Sequence, residues 1–265
     1  MASDGPRMMY PGRAALLLLM AWIITPAARA EPATRNQVLP GVGTTDRRLP
    51  VSTEAMPWKA VVRVQTELGG RCTGFLIAPA VVLTAAHCLW IPKTGNYVFP
   101  PHIHVLTGYS LGQYRDHARV RRIVIPPAYV PKIRQDQTTG PDRAVLILDH
   151  AVARPDSVLP LLRGLPISGE AAMLGGYEQD RRERLMADTA CHITTPQPLP
   201  DGRELIGHDC SATRGSSGGP LLVRQDNQWV AAGINVRAWT EDNGGLAEPC
   251  YDEQAIKDST TGNGQ

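Results

Sequence analysis

The sequence predicts an all-β protein built as two small antiparallel barrels or sandwiches. Three observations carry this. Short apolar runs rich in Val, Ile, Leu and Thr recur at close intervals from Trp58 onward. The 25 Gly and 23 Pro follow no repeat period, as in a chain of many turns. Beyond the first thirty residues, no segment keeps a 3.6-residue apolar period.

The runs fall into two sets of six. The first is WKAVVRVQ, RCTGFLIAP, VVLTAA, HIHVLTG, ARVRRIVI and RAVLILDHAV. After the proline-bearing stretch 155–166 come AAMLGGY, LMADTACHI, ELIGHDC, GPLLVRQ, WVAAGINVR and GGLAEP. This places a first barrel at about 58–155 and a second at about 167–250, with a linker near 155–166. A short helix is expected at YDEQAI, within a C-terminal tail 251–265.

The N-terminus reads differently. Arg7 and Arg13 precede AALLLLMAWII at 14–24, and AARA at 27–30 offers a small-residue cleavage site. That order predicts a signal peptide over 1–30, since the apolar run is short for a bilayer span. The mature protein is expected to be secreted or periplasmic, with no membrane contact after cleavage. Residues 31–48 read as an arm or short pro-segment containing the dibasic pair Arg47–Arg48.

Net charge is +2, from 27 Lys+Arg against 25 Asp+Glu, so electrostatics give no case for a nucleic-acid partner. Export permits disulfides, and two cysteine pairs lie close in sequence, Cys72 with Cys88 and Cys191 with Cys210. Cys250 is left free or available for an intermolecular link. The sequence has no C-x-x-C pair and no Cys near a His-x-x-x-His pattern, so structural zinc is not expected, and the reading includes no metal and no cofactor.

Of the seven histidines, His87 stands out. It closes VVLTAAHCL, where small residues let an imidazole approach backbone from elsewhere, and Cys88 can tie its turn to Cys72. His102 and His104 share a strand face but lack a nearby third ligand in sequence, and read as surface residues. Asp142 opens an apolar strand, where a carboxylate is costly to bury unless paired. In RGSSGGPLL at 214–222, glycines flank two serines, and the N–H groups of Gly215 and the nucleophile can converge as an oxyanion hole.

Together LTAAHC, DRAVLIL and GSSGGP, in the order His, Asp, Ser, resemble the trypsin/chymotrypsin-like serine peptidases. PWKAVVRV, CTGFLIAP and GIN extend the resemblance over nearly all of 49–250. DRR at 46–48, GYEQDR at 176–181 and HDCSATRGSSGGP at 208–220 bring it closest to the bacterial glutamyl-endopeptidase-like branch. The resemblance implies two six-stranded barrels with the active site between them, and a peptidase domain over 49–265. It implies His87 as base, Asp142 as its orienter and Ser217 as nucleophile, acting on a polypeptide substrate as a monomer. Ser216 stands where the animal digestive enzymes keep an aspartate. Ser211 occupies the pocket-base position, without the acid that an Arg/Lys preference needs. Asn235 stands where glutamate-selective members carry histidine, and His208 is a further pocket candidate. The alternative weighed is a catalytically silent binding module on the same fold.

Overall fold

A computed structural model describes Met1, Gly5 and residues 39–131 and 140–250. The predicted signal peptide, residues 31–38 of the arm, and the tail with its helix lie outside the described residues. All twelve predicted strands form. The first six, Val61–Thr66, Arg71–Ala78, Val81–Thr84, Ile103–Thr107, Asp116–Val124 and Ala144–Leu148, make a closed barrel. Its interior is lined by fully buried side chains such as Phe75, Leu83, Ile103 and Leu146. Burying each contributes roughly 1.5–3 kcal/mol to holding this barrel together.

The second six strands are Ala171–Gly176, Met186–His192, Glu204–His208, Pro220–Gln225, Gln228–Ala238 and Gly245–Pro249. They form an open eight-stranded sheet rather than the closed six-stranded barrel expected. Two short strands widen it, Leu49–Pro50 beside Met186–Ala187 and Gln197–Pro198 beside Glu204–Leu205. The seam between strands 186–192 and 204–208 has no ladder, because only the single bridge Ile193–His208 spans it. Beside that bridge the Cys191–Cys210 disulfide joins the two edges. Covalent closure substitutes there for strand pairing.

Residues 39–48 do not project as a free arm. Gly41 donates to the Trp239 carbonyl at 2.6 Å and accepts from Ala212 N at 3.0 Å, which threads the segment between two parts of the second sheet. Val42 and Arg48 are buried. The 155–166 stretch is likewise pinned at both ends of its central run. Leu159 N donates to the Leu76 carbonyl in the first barrel, and Leu162 N to the Ala231 carbonyl in the second sheet. One apolar cluster runs through the junction, joining Phe75 and Leu146 to Tyr177, Leu222 and Ile234.

Candidate active site

His87 and Asp142 meet because of strand register. Strand Val81–Thr84 pairs with Ala144–Leu148 so that Thr84 lies opposite Ala144. Two residues before Ala144, Asp142 reaches the 3₁₀ segment Ala86–Leu89, into which the other strand runs. Asp142 then holds His87 at two points. Its Oδ1 accepts from the His87 backbone N–H at 3.0 Å and its Oδ2 from Nδ1–H at 2.7 Å. With Nδ1 protonated, Nε2 is the proton acceptor of the neutral ring. The Cys72–Cys88 disulfide fastens the residue after His87 to the neighbouring strand.

The carboxylate has its own support. Asp142 N–H donates to Glu248 Oε2 at 3.4 Å, and Glu248 is paired with Arg203 through contacts of 2.9 and 3.0 Å. Arg203 also donates to the Gly140 carbonyl at 2.7 Å. Burial pushes the Glu248 carboxyl above its ordinary range, against the pull of Arg203. Burial first, and then the Asp142 charge, raise the phenols of Tyr97 and Tyr129.

The serine turn is gripped by Thr73 of the first barrel. Thr73 N–H donates to the Ser217 carbonyl at 2.9 Å, and its Oγ1 donates to the Gly215 carbonyl at 2.8 Å. Ser217 is partly exposed, whereas Ser216 is buried. Ser216 Oγ donates to the Thr213 carbonyl at 2.5 Å and accepts from Asn235 Nδ2 at 2.9 Å. Among the described residues, the N–H groups of Gly215 and Ser217 donate to no protein acceptor, leaving both donors open. Nor does a hydrogen bond join Ser217 Oγ to His87, although the Ser217 carbonyl lies 3.8 Å from Cys88 Sγ. Catalytic hydrogen bonds are often long in a ligand-free site.

The three pocket candidates lie near this turn, all buried. His208 Nε2 is 3.3 Å from Asn235 Oδ1, so His208, Asn235 and Ser216 form one internal polar chain. Ser211 N–H donates to Asp188 at 2.8 Å, and its hydroxyl meets Asn243 Oδ1 at 3.2 Å. Burial depresses His208 to about 4. Cys250 is free and buried, which turns it away from the intermolecular link considered above.

Several site residues escaped sequence reasoning. Thr73, Glu248 and Arg203 gave no local signal, since each acts through partners more than forty residues away. Arg48, read only as part of a dibasic pair in an arm or short pro-segment, is wholly buried among carboxylates. Glu67 supplies the neighbour missing beside His102 and His104, with its carboxylate 2.8 and 3.3 Å from their ring nitrogens.

Comparison with known proteins agrees with this architecture. A glutamyl endopeptidase of Bacillus licheniformis is 36% identical over 56 residues, 21% of this chain and 17% of that protein. Coagulation factor XI of Bos taurus is 26% identical over 218 residues, 73% of this chain and 33% of that protein. The chain thus spans a third or less of the length of these curated relatives. Among solved structures, a Glu endopeptidase in complex with MPD superposes with a TM-score of 0.67 at 19% identity. That match covers 83% of this chain and 100% of the other. The Rv3671c protease in its inactive form gives 0.54 at 20% identity, over 77% and 89%. Residues 47–250 match the family described as Trypsin, and the chain belongs to that family.

Proposed function

We propose that this protein is a secreted or periplasmic serine endopeptidase working through an acyl-enzyme, with Ser217 as nucleophile, His87 as general base and Asp142 as its orienter. The observation that carries the reading is the two-point hold of Asp142 on His87, beside a serine turn with two open N–H donors. Ser217 Oγ attacks the peptide carbonyl carbon and its proton passes to His87 Nε2. The ring, now charged, keeps its Nδ1–H bond to Asp142. The carbonyl oxygen takes up negative charge and accepts from the N–H groups of Gly215 and Ser217, a type of contact worth about 3–4 kcal/mol per donor in the transition state. The C–N bond breaks, the amine leaves with the proton from His87, and water then hydrolyses the ester by the same route.

The site is proposed to work as a monomer on polypeptide, without metal or cofactor. At the pocket base, Ser211 has its hydroxyl taken up by Asn243, and Asp188 is neutralised by Arg47 at 2.9 Å. The P1 side chain therefore meets no net charge from Ser211, Asn235 or His208, and we infer a preference for uncharged residues. Fluorophosphonate labelling of the purified protein tests the reading. Covalent adduct at Ser217, absent in Ser217→Ala, together with cleavage of a peptide library, is the expected result. No adduct and no cleavage would favour the silent binding module.

A further inference from the structure

We propose that Arg48 is a positioning residue for the oxyanion hole: its buried guanidinium holds the 178–180 loop against Gly215, so the hole forms without an acid at position 216 and without a newly cut N-terminus. This rests on the serine-peptidase reading above.

Arg48 has no exposed side-chain surface. Its Nε and one terminal nitrogen reach the two Asp46 oxygens, each at 2.9 Å. The two terminal nitrogens reach Asp180 at 3.0 and 2.9 Å, and one of them also donates to Glu178. Glu178 is itself buried. Arg181 closes the cluster from outside, donating to the Arg48 carbonyl at 3.2 Å and to Asp46 at 2.7 Å. A guanidinium suits this place because its planar fork serves several carboxylates at once.

The loop so held is the wall of the proposed hole. Gln179 N–H donates to the Arg214 carbonyl at 2.8 Å. Gly215 has φ of +97°, and a Cβ there would sit 2.5 Å from the Tyr177 carbonyl oxygen and 3.0 Å from Gln179 N. Only hydrogen fits between loop and hole, so movement of the loop is felt at Gly215. Without Arg48, the Glu178 carboxylate would be stranded inside the protein, a costly state. Where it does not take up a proton, its relief is to swing 178–180 into water, which draws Gln179 off Arg214.

Ser216 offers no anion for an incoming amine, because its hydroxyl is neutral, and that hydroxyl already serves Thr213 and Asn235. The cation in this protein arrives inside the chain, two residues before the strand pair Pro50–Met186. The bond between Arg48 and Leu49 must then stay intact, and the dibasic pair is not a maturation site.

The test compares native protein with Arg48→Met and Arg48→Lys. It reads kcat and KM on a peptide substrate, Tm, and hydrogen exchange of amides 177–181 and 214–217. In folded Arg48→Met, kcat is expected to fall about a hundredfold with KM little changed, as for loss of an oxyanion donor. Those amides should exchange about tenfold faster while the barrel strand 144–148 keeps its protection. Millimolar methylguanidinium should restore part of kcat to Arg48→Met and nothing to Ser217→Ala. Should the Met variant fail to fold, Arg48→Lys decides. A tenfold loss of kcat with faster loop exchange supports the role, because an ammonium lacks the fork. A folded variant with kcat within threefold of native and unchanged exchange overturns it. If the native protein neither cleaves peptides nor takes up fluorophosphonate, the peptidase reading fails, and the exchange comparison still decides whether Arg48 holds the loop.

Discussion

Thr73 Oγ1 donates to the Gly215 carbonyl at 2.8 Å and accepts from Tyr177 N–H at 2.8 Å, so one hydroxyl of the first barrel fastens both sides of the proposed oxyanion hole. Thr73 is fully buried, and its own carbonyl accepts from Thr84 Oγ1 at 2.7 Å. Thr73→Val keeps the shape and removes both bonds, leaving a buried carbonyl and a buried N–H unpaired. The expected cost is about 1–3 kcal/mol of stability. Activity is expected to fall about tenfold or more, mainly in kcat, if the hole loosens. Thr73→Ser should recover most of both. Denaturant unfolding and steady-state kinetics on the three proteins check this, and a Val variant of native kcat would refute the fastening role.

The two adjacent serines should separate cleanly. Ser217→Ala is expected to abolish labelling and lower kcat by orders of magnitude, since nucleophile and base act as a unit. Ser216→Ala strands Asn235 Nδ2, while the Thr213 carbonyl keeps its bond from the Ser216 backbone N–H, so the expected effect is a stability loss of about 1–3 kcal/mol with much of the activity retained. Asp142→Asn should also be severe, though less so than loss of His87, because an amide can hold the imidazole in the other tautomer. Activity surviving Ser217→Ala but not Ser216→Ala would reverse the assignment.

Acid should destabilise the fold through His208. Burial depresses this ring to about 4, against 6.5 for the free side chain, and the bond to Asn235 with the charges of Asp209 and Asp188 only partly opposes that. A folded value below the unfolded one means the unfolded chain binds the extra proton. Stability from this group is therefore complete above pH 6.5 and is lost as pH falls toward 4. The loss amounts to about 3 kcal/mol at most. His208→Gln keeps a donor to Asn235 and removes the titration. Comparing the fall in Tm from pH 7 to pH 4 should show a shallower slope in the variant; parallel slopes would rule His208 out.

Cys72 and Cys88 close a loop of sequence separation 16, and Cys191 and Cys210 one of 19. Opening either by a double Cys→Ser change is expected to cost about 3 kcal/mol. The first opening should also lower kcat, because it frees the turn that carries His87. The buried Cys250 thiol should resist alkylation in the native state and react at once in denaturant. Unreduced peptide maps and iodoacetamide labelling provide the checks; rapid native labelling at Cys250 would contradict its burial.

The sequence by itself determined the strands, and its local motifs supplied the residues proposed to carry the chemistry. Alternating and continuous apolar runs specify extended chain because burial is local to each strand, and all twelve formed. LTAAHC and GSSGGP were legible for a similar reason: the small neighbours and glycine turns that suit the proposed base and nucleophile leave a mark within a few residues. Tertiary structure decided what holds those residues in place. Thr73, Glu248 and Arg203 are ordinary residues in ordinary strands and turns, and their roles exist only once distant segments meet. Arg48 is the clearest case. In sequence the pair of arginines sits in what reads as an arm or pro-segment, yet three carboxylates gathered from 46, 178 and 180 make the interior a tolerable place for the Arg48 charge. The open seam of the second sheet was also beyond local reading, because closure depends on the match between two edge strands. Register along a strand is written in its own residues, but the partners of a buried charge are set by where the whole chain goes.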